Sequence, residues 1–135
     1  EHLLLAVQKE AARQNIVQPV LLQVNIGGEA SKGGVAPDGL MALLEQADGM
    51  ENILVKGLMC IPPKETEPAA QRRWFAAMRS LFNEAAAHSW QKARMEILSM
   101  GMSGDFEVAI QEGATLVRVG TAIFGPRAYP LPAEP

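Results

Sequence analysis

Two kinds of apolar pattern alternate along the chain. Short, nearly continuous runs of Val, Ile, Leu and Met are typical of strands covered on both faces, and they predict strands at residues 19–26, 53–61, 95–100 and 115–119. Apolar residues at helical spacing predict helices at residues 2–14, 37–47, 69–88 and 104–112, with one more helical turn within 120–124. Because no hairpin signal joins two strands, the pattern predicts a parallel sheet with right-handed crossovers.

This order of elements fits two α/β architectures. The four strands could form a small open sheet, or they could be half of a (β/α)8 TIM-type barrel, which usually needs about 250 residues. The 135 residues are enough for one domain with its own hydrophobic core. In both architectures ligands bind at the carboxyl ends of the strands, which we expect at residues 25–28, 59–62, 100–103 and 118–121.

Composition narrows the class of protein. Hydrophobic residues make up 48% of the chain and charged residues 20%, with a net charge of −3, which is typical of a globular protein without a nucleic-acid or membrane surface. The apolar runs are too short to cross a bilayer. Cys60 is the single cysteine, so we expect no internal disulfide and a cytoplasmic location. His2 and His88 lack partners at ligand spacing, and we expect no metal site.

Small polar residues follow the last two predicted strands. Ser103 comes after the third strand and directly before a helix, and Gly120 and Thr121 follow the fourth strand. Backbone N–H groups at a helix start are unpaired and favour anions, and glycine allows a ligand to approach the backbone closely. The last two loops of a barrel often form a phosphate site of this kind. The alternative is that Ser103 and Thr121 are ordinary helix N-caps.

Arg118 interrupts an otherwise apolar strand. A guanidinium in this position needs a partner, and if Val117 and Val119 face the helices, Arg118 points to the inside of the barrel. There it could donate hydrogen bonds to a ligand held at the phosphate site. The alternative is a structural ion pair, for which the candidate carboxylates are Glu96, Asp105 and Glu107.

Four segments together resemble one family. The stretches LSMGMSGDFEVAI and VRVGTAIFG are similar to the C-terminal signature of the pyridoxal phosphate homeostasis proteins, the YggS family. The stretches VNIGGEASKGG and GLMCIPP resemble the two preceding strand-end loops of that family, in the same order. The resemblance covers residues 1–129. It implies a barrel like that of alanine racemase, and it places this chain in the second half of such a barrel, as the C-terminal part of one domain over residues 1–135.

The resemblance also implies a cofactor, pyridoxal 5′-phosphate (PLP). By the family pattern Ser103, Gly120 and Thr121 take the phosphate and Arg118 faces the pyridine nitrogen. Gly101 and Met102 are expected to shape the adjoining loop. The implied role is intracellular PLP homeostasis without robust catalysis, and no residue is expected to be catalytic.

One family feature is missing from this sequence. Family members carry a PLP-linking lysine on the first barrel strand, in a motif like AVSKT, and no such motif occurs here. Of the lysines present, Lys32 lies in a strand-end loop but does not match that position. We therefore expect companion structure, either a missing N-terminal half of the barrel or a second chain, to cover the inner face and the edge strands.

Two other functions remain open from the sequence. A PLP-dependent racemase-like enzyme would share the barrel and Arg118, because an arginine that keeps its proton is compatible with a carrier and with a racemase. An unrelated phosphate-binding barrel, such as a sugar-phosphate isomerase, would need a base at a strand end, where only Glu29 and Lys32 are near.

Overall fold

The fold alternates helices and strands, and a computed structural model describes it for residues 2–126. The helices are α1 (His2–Arg13), α2 (Leu40–Asp48), α3 (Pro68–Ala87), α4 (Phe106–Gln111) and α5 (Thr121–Phe124), and the strands are β1 (Gln18–Val24), β2 (Ile53–Cys60), β3 (Ile97–Met102) and β4 (Leu116–Arg118). A short 3-10 helix, Pro37–Gly39, precedes α2. Every predicted helix and strand is therefore present, including the last helical turn.

The four strands form one sheet in the order β1-β2-β3-β4, and every neighbouring pair is parallel. This is the architecture that the alternating pattern predicted. Because the strands are parallel, their carboxyl ends lie along the same edge of the sheet. The ends of β3 and β4, with their small polar residues, are therefore neighbours in space.

The two faces of the sheet differ in burial. Leu22, Leu58 and Leu98 are partners across β1, β2 and β3, and they are 5%, 0% and 0% exposed. They lie in the core together with side chains of the helices. The adjacent row runs Gln23, Met59, Ser99 and Leu116 and lies on the opposite face. We call this second row the inner row; its members range from buried Ser99 to Leu116 at 41% exposed.

A β-bulge sets the alignment of β1 with β2. Val20 pairs with Val55 and Leu21 pairs with Gly57, which leaves Lys56 as the extra residue. Gly57 has a φ of +147°, and a Cβ at this residue would lie 1.9 Å from the carbonyl oxygen of Ile97. Only glycine fits this close approach of two strands.

Some boundaries differ from the predicted ones for local reasons. The third strand was predicted at 95–100 but begins at Ile97, opposite the bulge at Gly57. The first strand was predicted to reach residue 26 but ends at Val24, because the Asn25 side chain turns the chain by donating to the carbonyl oxygens of Glu29 and Lys32. The helix predicted at 37–47 starts as the 3-10 turn at Pro37–Gly39.

The predicted apolar stripe of α3 provides much of the core. Phe75, Met78 and Ala85 are fully buried and Phe82 is 6% exposed. Trp74 is half-buried at the edge of the stripe, where its indole N–H points to Glu65. None of the helices described within residues 2–126 is both long and apolar enough to cross a membrane.

Candidate functional site

The ends of β2, β3 and β4 surround a cavity of about 1230 Å³. All of the residues predicted to form the site line this cavity; they are Gly101, Met102, Ser103, Arg118, Gly120 and Thr121. The loop after β2 closes another side with Pro62, Pro63 and Lys64. The strand ends that the sequence marked by small residues are thus brought together at one place.

Ser103 connects the ends of β3 and β4. Its hydroxyl oxygen accepts hydrogen bonds from the backbone N–H groups of Gly120 and Ala122, both at 3.2 Å. The N-cap residue of α4 is Asp105, and Ser103 does not cap the helix that follows it. Ser103 instead contacts the first turn of α5, so the interpretation of Ser103 as the N-cap of its own helix is wrong.

Gly101 and Gly120 are glycines for different reasons. Gly101 has a φ of +94°, and a Cβ there would lie 2.6 Å from the Cβ of Ala109, so it lets α4 pack closely on β3. Gly120 has an ordinary φ of −110°, and a Cβ there would meet no atom within 4 Å. Among the described residues, neither the backbone conformation nor close packing therefore requires a glycine at residue 120. The absence of a side chain leaves room beside two backbone N–H groups.

Arg118 points to the inner face of the sheet, as predicted. Its neighbour Val117 lies on the helix side, where its Cγ1 would be 3.5 Å from a Cβ on Gly101. The Arg118 guanidinium donates to the hydroxyl of Ser99 at 2.5 Å and to the backbone carbonyl of Cys60 at 3.0 Å. Its side chain therefore reaches across β3 to the end of β2.

The alternative of a structural ion pair for Arg118 is not supported within residues 2–126. Glu96 pairs with Lys56 at 2.6 Å, and Asp105 accepts from the backbone N–H of Met102 at 2.6 Å. No carboxylate of the described residues lies within 4 Å of the Arg118 nitrogens. The charge of Arg118 is thus held by neutral acceptors at the wall of the cavity.

The loop after β1 brings a second cation to the cavity. Lys32 forms an ion pair with Glu29 and donates to the carbonyl oxygen of Pro62 at 2.9 Å. Gly27 packs against the same loop, since a Cβ on it would be 2.4 Å from Cγ of Pro63. The loops after β1 and β2 therefore form a joint wall, with Lys32 lining it.

Two groups of this site were not predicted from the sequence. Ser99 is 2% exposed and holds Arg118, but its position inside a strand gave no sign of a polar role. The contribution of Cys60 is its backbone carbonyl, which no side-chain pattern reveals. The Cys60 thiol is fully buried, and burial raises its pKa to about 12 although the nearby Arg118 charge acts in the opposite direction.

The chain matches one family model and is similar in sequence to proteins of known name. The family model for the alanine racemase N-terminal domain matches residues 1–128. The pyridoxal phosphate homeostasis protein of Aquifex aeolicus is 49% identical over 123 residues, which are 91% of this chain and 53% of that protein. The pyridoxal phosphate homeostasis protein of Pseudomonas aeruginosa is also 49% identical, over 85% of this chain and 47% of that protein.

Solved structures agree with these matches. PipY of Synechococcus elongatus without PLP superposes with a TM-score of 0.83 at 33% identity and covers 92% of this chain and 57% of its own. PipY with PLP bound superposes with a TM-score of 0.74 at 32% identity, over 87% of this chain and 54% of its own. The chain spans about half the length of the relatives that it matches.

The matching family model and the parallel sheet both agree with the family resemblance found in the sequence. Four parallel strands with their helices correspond to half of the (β/α)8 barrel of this family, which confirms the predicted fold class. The family model covers nearly the whole chain, and the two curated relatives share almost half of the aligned residues. The chain therefore belongs to the family of the alanine racemase N-terminal domain, and it is similar there to the pyridoxal phosphate homeostasis proteins.

Proposed function

We propose that this chain contributes the phosphate-binding half of a PLP-binding barrel whose role is PLP homeostasis in the cell. One observation carries the proposal: the predicted site residues all line the same cavity. Within residues 2–126, Arg118 at the wall of this cavity has no carboxylate partner. A relative that is 32% identical binds PLP in its solved structure. Two relatives that are 49% identical carry the homeostasis name.

The cavity wall fits a phosphate at the end of β4. Gly120 has open space where a side chain would be, and its N–H and that of Ala122 converge on the Ser103 hydroxyl. We propose that a phosphate takes the place of the Ser103 oxygen as their acceptor, while the Ser103 hydroxyl turns to donate to the phosphate. Thr121 adds a hydroxyl at the same place, and Gly101 and Met102 form the adjoining wall.

Arg118 is proposed to meet the ring of the cofactor. PLP, when bound, supplies an electron-withdrawing pyridine ring. An arginine does not release its proton, so Arg118 favours a ring nitrogen that accepts a hydrogen bond and stays unprotonated. A pyridine ring with an unprotonated nitrogen withdraws electrons less strongly. Such a ring suits a protein that binds and releases PLP without robust catalysis. Arg118 does not by itself separate a carrier from a racemase-like enzyme.

The remaining part of the barrel is proposed as companion structure. The inner row carries apolar side chains that are partly exposed, such as Met59 and Leu116, and β1 and β4 are sheet edges in the described part of the chain. We propose that further barrel strands, from the same protein or a second chain, cover them. Light scattering on residues 1–135 tests this point, because a stable, monodisperse monomer contradicts it.

Titration with PLP and with inorganic phosphate tests the binding site. The double variant Ser103→Ala with Thr121→Ala is expected to lose most of the affinity for both ligands, because both contain the phosphate. Ser80→Ala is the matched control, since the Ser80 hydroxyl bonds to Ala76 on α3 and does not line the cavity. Binding that is unchanged in the double variant refutes the proposed phosphate site.

A further inference from the structure

A buried hydroxyl fixes the direction of Arg118 at the cavity wall. Ser99 is 2% exposed, lies on the inner row and accepts from the Arg118 guanidinium at 2.5 Å. The second fixed point is the carbonyl oxygen of Cys60, 3.0 Å away. An arginine side chain has many rotamers, and two fixed acceptors on neighbouring strands reduce this freedom before any ligand arrives.

We propose that Ser99 is a positioning residue, which orients Arg118 for the ring of the bound cofactor and takes no part in holding the phosphate. This inference rests on the PLP-binding function proposed above. Ser99 does not line the cavity, whereas Arg118 does. The effect of Ser99 on a ligand must therefore pass through the guanidinium.

A neutral hydroxyl is suited to this task for an electrostatic reason. A carboxylate at the position of Ser99 would neutralise Arg118 and lower its attraction for an acceptor on the ligand. Ser99 and the Cys60 carbonyl take up two of the five N–H donors of the guanidinium and leave its net charge intact. The other donors remain for the ligand.

The hydroxyl also keeps Arg118 away from the carboxylates of the same cavity. Glu65 and Asp105 both line it. Without Ser99, the long arginine side chain is expected to turn toward one of these anions, because opposite charges attract strongly where water is partly excluded. Ser99 thus selects the orientation in which the Arg118 guanidinium contacts the pyridine ring of the cofactor.

The test compares two ligands on the same variants by calorimetric titration. Ser99→Ala is expected to weaken PLP binding about tenfold, equivalent to ~1.4 kcal/mol, and to leave the affinity for inorganic phosphate within about twofold. Thr115→Val is the matched control. It removes the hydroxyl of the residue just before β4, which accepts from the backbone N–H of Leu98 at 2.8 Å and does not line the cavity, and it should leave both affinities unchanged.

A double-variant cycle with Arg118→Met separates positioning from a structural effect. If Ser99 acts through Arg118, the double variant binds PLP no more weakly than Arg118→Met alone, whereas independent effects multiply. A multiplied loss, an unchanged PLP affinity in Ser99→Ala, or an equal loss of phosphate binding overturns the inference while the proposed function stands. If the unaltered protein binds neither ligand, both proposals fail.

Discussion

The backbone N–H of Gly120 donates a hydrogen bond to the hydroxyl oxygen of Ser103 over 3.2 Å, and this contact joins the ends of β3 and β4. The two residues are 17 positions apart along the chain. The contact exists because parallel strands that are neighbours in the sheet end at the same edge. Two loops that look independent in the sequence are therefore one structural unit.

Substitution of Gly120 by alanine should separate binding from stability. A Cβ at Gly120 meets no atom within 4 Å and the φ of −110° suits alanine, so we expect the free energy of unfolding to change by less than about 0.5 kcal/mol. The methyl group would occupy the space proposed for phosphate, and affinity for PLP and phosphate should fall at least about tenfold. Denaturant unfolding and ligand titration measure the two effects. Unchanged affinity would contradict the proposed site.

Substitution of Gly57 by alanine should strongly destabilise the fold. A Cβ on residue 57 would lie 1.9 Å from the carbonyl oxygen of Ile97, and the φ of +147° is strained for any residue with a side chain. We therefore expect the free energy of unfolding to fall by at least about 3 kcal/mol. Urea unfolding followed by circular dichroism measures it. Gly33→Ala is the control, because a Cβ on Gly33 meets nothing within 4 Å. Equal stability of the two variants would show that the bulge is not rigid.

Asp48 should be important for stability at neutral pH. Its carboxylate accepts 2.7 Å hydrogen bonds from the backbone N–H groups of Gln91, Lys92 and Ala93, and so fixes the turn that leads into β3. Asp48→Asn replaces one acceptor oxygen by a donor and should cost about 2 kcal/mol of unfolding free energy at pH 7. Asp38→Asn, at an exposed position, is the control and should be nearly neutral.

The contribution of Asp48 should depend on pH in a defined direction. Burial acts to raise the pKa of Asp48, but the three backbone N–H groups and the charge of Lys92 outweigh it, and the pKa is lowered. A carboxyl whose pKa is lower in the folded state stabilises the fold above its unfolded pKa of about 3.9, and this contribution is lost as the pH falls through the folded pKa. The stability difference between the protein and Asp48→Asn should therefore shrink below about pH 4. A difference that grows on acidification would refute this assignment.

Cys60 should be chemically inert in the folded protein. Its thiol is fully buried and burial raises its pKa to about 12, so the thiol stays protonated and unreactive at pH 8. Iodoacetamide at pH 8 should label Cys60 only after unfolding in urea, which serves as the control condition. Rapid labelling under native conditions would show that the end of β2 opens in solution.

The sequence predicted most of what depends on local pattern. Element type and order follow from apolar periodicity, and the strand ends of the candidate site follow from the small residues around Ser103 and Gly120. Contacts that depend on register between strands could not be predicted. The bond between Ser99 and Arg118 requires β3 and β4 to be aligned within one residue, and apolar periodicity does not encode that alignment.

The bulge at Lys56 and Gly57 has a consequence for how this sequence can change in length. On β2, three buried side chains face the helices: Val55, Leu58 and Cys60. Their partners on β1 are Val20, Leu22 and Val24, respectively. All three β2 side chains face the helices only because the bulge places one extra residue between Val55 and Leu58. Deletion of that residue would turn one half of β2 over, exchanging its core side with its inner side. Insertions and deletions should therefore be selected against within β2.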